Sequence, residues 1–324
     1  MTLKVITLSL LASTATVSAA QACTTIAWNT EHGVINTRTF DWLEASNPNL
    51  ETFYAGEKRM LNGNESYTVK NDFIAITAYE DVVAEGVNKH KLHVNALYYG
   101  PQSSVDNGKD SIGVNQFALT EYFLSEFSSV EDVVSNIDKI SLKHEQSDAL
   151  PVAPPLHYSL TDASGDRLII EHDEDGIKLY RGDLYEVMTN QPSIEKHQQN
   201  WKPNIDLDFS KVDSYSDYGN SGRINPEDRY LHANYFLNQL EEPSSAKNGM
   251  LKLASIAYNV PHDANNKKVD GQMAGYATEY QITIDVTEGS TVFQYKWGDI
   301  WTHQEWNMYD LLAKGKKIKI DLDT

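Results

Sequence analysis

The sequence predicts an α+β fold built from blocks of strands and blocks of helices. Strand-like runs bunch together, give way to helical runs and then return, without the regular strand–helix alternation of a parallel sheet. Hydrophobic residues make up 40% of the 324, enough to bury a large core. No internal repeat or long low-complexity linker divides the chain, so residues 23–324 are expected to form one domain.

The first 22 residues are expected to lie outside that domain. Lys4 supplies a positive start, residues 5–17 are apolar and uncharged, and Ala20 and Ala22 are the small residues before Cys23. This is the layout of a secretory signal peptide, and the apolar run is too short to span a membrane. Cleavage after Ala22 would make Cys23 the first residue. A lipoprotein signal is the competing reading, with Cys23 carrying a lipid anchor on a non-enzymatic binding protein. Such signals usually carry Leu at minus three and a small residue at minus two, where this chain has Ala20 and Gln21.

From Cys23, "CTTIAWNT" and "GVINTRTF" read as a hairpin turned at "EHG", with Cys23 beginning the first strand. Strand character continues through "ETFYAGEKR", "ESYTVKNDFIAITAY" and "KLHVNALYYG". "SSVEDVVSNIDKI" (128–140) reads as a helix with a Ser128/Glu131 capping box. Residues 156–182 read as three strands with turns at "DASGD" and "DEDG", and "YEVMTNQP" as a short strand. Asn225 and Pro226 are the cap and first-turn proline of a helix, and 244–260 form another. "EYQITIDV" and "STVFQYKW" form a closing hairpin, and 206–222 is the most loop-like segment.

Charge and composition exclude several functions. The leader carries one Lys and no acidic residue, so its removal takes the net charge from −19 to −20. Nucleic acids and anionic membranes require basic patches and are not expected partners. A single cysteine permits no internal disulfide. There is no G-x-S-x-G, H-E-x-x-H, Walker loop or dinucleotide fingerprint, and the ten histidines show no metal spacing. No metal or organic cofactor is expected.

Cys23 is the chemistry that remains. As a first residue it would carry a thiol and a free α-amine, whose ordinary pKa of about 7.7–8.0 suits a base near neutrality. The amine can take the thiol proton and return it to a leaving amine. In "NTRTFDW" (36–42), Arg38 would favour the thiolate and Asp41 would hold the amine. A Cys–His hydrolase using a distant histidine is a second enzymatic reading.

"CTTIAW", "RTFDW", "LHYSLTDASGDRLIIE", "VMTNQP" and "NPEDRYLHANYF", in that order, resemble the choloylglycine hydrolase family of bile salt hydrolases and penicillin V acylases. The resemblance implies a four-layer αββα sandwich of the N-terminal nucleophile hydrolase type and hydrolysis of linear, non-peptide amides. It assigns Cys23 as nucleophile and base, Arg38 as the arginine beside the thiol and Asp41 as the carboxylate on the amine. Asn190 matches the side-chain oxyanion donor, Arg229 the second active-site arginine, and Trp42 an aromatic at the acyl pocket. Exported relatives resemble penicillin V acylases that also cleave N-acyl homoserine lactones, so those substrates are expected ahead of conjugated bile salts. A periplasmic location and a homotetramer are what the resemblance further implies. The chain departs from the family at "SIGVNQFAL" (111–119), and no second oxyanion donor aligns within the loop expected at 79–91.

Overall fold

The computed structural model describes residues 23–42, 44–79, 81–100, 104–145, 155–173, 175–202, 225–257, 259–260, 268–269, 272–273 and 277–324. The expected leader (1–22) and the loop expected at 206–222 lie outside the described residues.

The strands are β1 (Thr24–Thr30), β2 (Gly33–Trp42), β3 (Asn49–Phe53), β4 (Lys58–Met60), β5 (Ser66–Thr68), β6 (Phe73–Ala78), β7 (Val82–Asn88), β8 (Leu92–Tyr98), β9 (Ile112–Asn115), β10 (Ile140–Lys143), β11 (Leu156–Asp162), β12 (Arg167–Asp173), β13 (Gly176–Arg181), β14 (Val187–Thr189), β15 (Lys268–Val269), β16 (Gln272–Met273), β17 (Ala277–Asp285), β18 (Ser290–Tyr295), β19 (Thr302–Asn307) and β20 (Lys319–Asp321). The α-helices are α1 (Leu119–Glu126), α2 (Val130–Val134), α3 (Ile194–Trp201), α4 (Pro226–Leu237), α5 (Ala246–Ile256) and α6 (Met308–Leu312).

Two antiparallel sheets dominate. The first runs β14-β1-β2-β17-β18-β19 and the second β13-β12-β11-β8-β7-β6-β3-β20. Because successive side chains on a strand point to opposite faces, each sheet has one face toward the other sheet and one toward helices. Helices α4 and α5 cover β1, β2, β14 and β17, while α1 covers β7 and β8 and α2 meets β11. The result is the αββα order of layers.

The core divides accordingly. Ile26, Ile35, Tyr230 and Leu253 pack between the first sheet and its helices. Phe40, Ile74, Ile76, Tyr280 and Phe293 pack between the sheets, and Val94, Phe123, Tyr158 and Leu160 between the second sheet and α1. Phe40 stacks on Tyr280 with ring centroids 4.9 Å apart. Gly86 on β7 allows a close crossing: a Cβ there would lie 2.6 Å from the carbonyl oxygen of Ile74.

Several sequence expectations shift. The first strand starts at Thr24, with Cys23 immediately before it. The cap of α2 is Ser129, which accepts from the Asp132 N–H at 3.1 Å, in place of the Ser128/Glu131 box. Residues 82–88 are strand β7, not a loop. Asn225 caps α4 as expected, accepting from Asp228 N at 2.8 Å, with Pro226 in the first turn.

Candidate active site

The register of the first hairpin sets the site. Thr24 pairs with Thr39 and Thr25 with Arg38, so Arg38, Phe40 and Trp42 share the face toward the second sheet. Thr39 and Asp41 take the opposite face, toward the helices. Cys23 sits at the head of β1, between these two environments, and is 4% exposed. The backbone N–H of Asp41 donates to its Sγ at 3.4 Å, and the thiol faces the Asp41 carbonyl at 3.5 Å. Burial pushes the thiol pKa up and the Asp41 charge adds to this, while Arg38, the Asp41 N–H and Arg229 pull it down.

Arg38 is a buried charge, 1% exposed. It does not pair with Asp41. Its Nη1 donates to Glu85 Oε1 at 2.7 Å, and its Nη2 to the Ala96 carbonyl at 2.7 Å. Its guanidinium carbon lies 4.9 Å from the Phe40 ring centroid. Burial works against its charge, but Tyr280, Glu85 and Cys23 outweigh that and keep it protonated. Burial conversely pushes the Glu85 carboxyl up, against the pull of Arg38.

On the helix face, Thr39 donates to Asp41 Oδ2 at 3.1 Å, while Oδ1 has no hydrogen-bond partner among the described residues. Burial raises the Asp41 carboxyl to about 7, against the pull of Thr278, Arg229, Thr39 and Arg38. The first turn of α4 delivers Arg229, which is 1% exposed rather than solvated. Its Nη1 donates to the carbonyl of Cys23 and, at 2.7 Å, to Thr24 Oγ1. Its Nη2 donates to Asn190 Oδ1 at 2.9 Å. Burial lowers the Arg229 pKa to about 10, although Asp41 and Cys23 support its charge.

Asn190 follows β14, the strand that flanks β1 on its other side, and is fully buried. Because Arg229 takes its oxygen, its amide nitrogen is oriented away from α4, and one N–H reaches the carbonyl of Tyr98 at 2.7 Å. The structure therefore brings Cys23, Arg38, Asp41, Asn190 and Arg229 together at one end of the first sheet.

A cleft of about 840 Å³, counted to its open mouth, begins at Cys23 and Arg38. Phe40, Trp42, Tyr79, Val82, Tyr98 and Phe117 are among its walls, making it chiefly aromatic and aliphatic. Trp42 thus reaches the expected place, with its ring centroid 5.8 Å from that of Tyr98. Tyr79 holds a left-handed backbone (φ 52°), a strained state for an aromatic residue and one that clusters at functional sites. Glu85, Tyr79 and Phe117 were not singled out in the sequence. Only the "EG" on β7 hinted at Glu85, since a glycine inside a strand marks a close backbone approach.

An αββα core with a cysteine at the head of an inner strand of the first sheet is the architecture of the N-terminal nucleophile hydrolases. The chain belongs to the choloylglycine hydrolase family of linear amide C–N hydrolases, whose family model matches residues 23–309. It is 27% identical over 205 residues to a penicillin V acylase of Pectobacterium atrosepticum, covering 58% of this chain and 54% of that protein. The match thus spans about half the length of that relative. It is 33% identical over 87 residues to a bile salt hydrolase/transferase of Lactiplantibacillus plantarum, covering 26% of each. The fold is shared with a penicillin V acylase from Agrobacterium tumefaciens (TM-score 0.74, 22% identity, 92% of this chain and 91% of that one). It is shared also with a mutant conjugated bile acid hydrolase from Clostridium perfringens (TM-score 0.78, 16% identity, 93% and 97%).

Proposed function

We propose that cleavage after Ala22 yields an exported, periplasmic acylase in which Cys23 is both nucleophile and base. The α-amine, held by Asp41, takes the thiol proton, and sulfur attacks the acyl carbonyl to form a C–S bond. The developing oxyanion takes an N–H of Asn190, an interaction worth about 2.7–4 kcal/mol in comparable sites. As the C–N bond breaks, the α-ammonium returns the proton to the leaving amine. Water then gives a proton to the α-amine and attacks the thioester, releasing the acid and restoring the thiol. The reaction balances without a metal or organic cofactor.

Arg38 tempers the cost of the buried thiolate, and Arg229 fixes both the Cys23 carbonyl and the Asn190 amide. The observation that carries this reading is that Arg229 binds both the Cys23 carbonyl and the Asn190 amide oxygen, and the Asp41 N–H meets the Cys23 sulfur, where Cys23 lines an apolar cleft. The aromatic walls suit aryloxyacetyl or fatty acyl groups, and the penicillin V acylase relatives support the same choice. Penicillin V and N-acyl homoserine lactones are accordingly the proposed substrates, ahead of conjugated bile salts, and the proposed assembly is a homotetramer.

Intact mass and N-terminal sequencing of the exported protein test the first step. A free amine on Cys23 is expected, and a lipid adduct would instead establish the lipoprotein reading. A panel of phenoxyacetyl, long-chain homoserine lactone and glycocholate substrates, compared by kcat/KM, tests the acyl preference. Cys23→Ser should lose nearly all hydrolysis while keeping the fold, and wild-type turnover would sink the mechanism.

A further inference from the structure

The segment from Thr189 to Ile194 leaves β14 and enters α3, carrying Asn190 with it. It is gripped from two sides. Arg229 holds the side chain of Asn190 through Oδ1. From α3, His197 places its Nε2 2.9 Å from the backbone carbonyl of Asn190 and 3.3 Å from Thr189 Oγ1. Thr189 in turn donates to the Pro226 carbonyl at 2.9 Å, and Glu171 Oε1 accepts the Ile194 N–H at 2.9 Å.

A carbonyl can only accept, so Nε2 of His197 carries the proton. The ring is buried and stacks on Tyr230, with centroids 4.6 Å apart and planes 16° from parallel. Tyr230 is the residue after Arg229 on α4. One turn of α4 therefore reaches both ends of Asn190, directly through Arg229 and indirectly through the Tyr230–His197 stack. Burial lowers the His197 pKa to about 4, which leaves the ring neutral and its single N–H committed across the neutral range.

We infer that His197 is a positioning residue: its Nε2–H fixes the peptide carrying Asn190, and so sets where the amide of Asn190 meets the oxyanion. The inference rests on the proposed role of Asn190. A displacement of this donor by about 1 Å is enough to cost on the order of 100-fold in rate.

The test uses the mature enzyme, one cleaved amide substrate and four variants. His197→Phe keeps the stack on Tyr230 and removes the donor. Its kcat is expected to fall by about 10- to 100-fold with KM changed less than about threefold. His197→Gln, whose amide nitrogen can take the place of Nε2, should recover most of that loss. His197→Asn, whose amide is too short, should not. If His197→Phe does not fold, the Gln and Asn variants decide, and equal kcat in the two overturns the inference. Asn190→Ala separates the two readings. Wild-type turnover in Asn190→Ala would overturn the role of Asn190 itself. A strong loss in Asn190→Ala alongside wild-type turnover in His197→Phe would overturn only the positioning role.

Discussion

Glu85→Gln probes the ion pair behind the nucleophile. Arg38 and Glu85 are each 1% exposed at their side chains and meet at 2.7 Å. The other acceptors of Arg38 are neutral: the carbonyls of Ala84 and Ala96 and the hydroxyl of Tyr280. The substitution keeps the shape of Glu85 but leaves the guanidinium with no counter-charge in contact. Breaking a buried pair in this way costs about 3–5 kcal/mol. The glutamine oxygen still accepts one hydrogen bond, worth about 0.5–1.5 kcal/mol, so the net loss is about 2–4 kcal/mol.

Urea unfolding reads that loss as a lower midpoint at unchanged slope. A second readout has its own sign. The Glu85 charge opposes the field of Arg38 at Cys23, so its removal strengthens the pull of Arg38 on the thiol. The pKa of Cys23 should fall, as measured by the pH dependence of alkylation of the single cysteine. A loss under about 1 kcal/mol, of the size of an exposed pair, together with an unchanged alkylation profile would refute the reasoning.

Other perturbations follow from the same geometry. Burial raises Asp41 to about 7, so the folded chain binds its proton more tightly than the unfolded chain does. That stabilisation is complete below about pH 4 and is lost as pH rises through about 7. In a chain still carrying residue 22, Asp41→Asn should therefore add about 2–4 kcal/mol at pH 8 relative to its effect at pH 4. Equal effects at both pH values in urea titrations would refute this. Arg229→Lys replaces a fork that holds Cys23, Thr24 and Asn190 with a point charge. It should lower kcat by about 10- to 100-fold, with a smaller change in KM, in steady-state assays. Gly86→Ala forces a Cβ against the backbone of β6, and denaturant unfolding should show a loss of at least about 1–3 kcal/mol.

The parts of this protein that can be read from sequence are those whose signals are local. The β1/β2 hairpin follows from two β-rich runs around a short turn, and α4 from Asn225 and Pro226 at its start. Strand β7 was hidden because Glu85, Gly86 and Asn88 interrupt its apolar run with residues that favour loops. Those residues are tolerated because Glu85 meets Arg38, 47 positions earlier, and Asn88 donates to the carbonyls of Leu124 and Phe127. In helix α1 seven of eight residues are buried, the polar Thr120, Glu121 and Ser125 among them, so its polar positions do not mark a solvent face. Arg229 has no local signal for burial, because the groups it holds, Cys23, Thr24 and Asn190, lie far from it in the sequence.

Strand β1 is an inner strand, paired with β2 along its length and with β14 from Thr24 to Ile26. Its pairing, the arginine clamp and the cleft are all in place in a chain where residue 23 still has a peptide nitrogen. Under the proposed mechanism, activity therefore depends on one bond, that between Ala22 and Cys23. A cut after Ala22 arms the site without rearranging the sheets. A cut one residue earlier leaves it dormant, and one residue later removes the nucleophile.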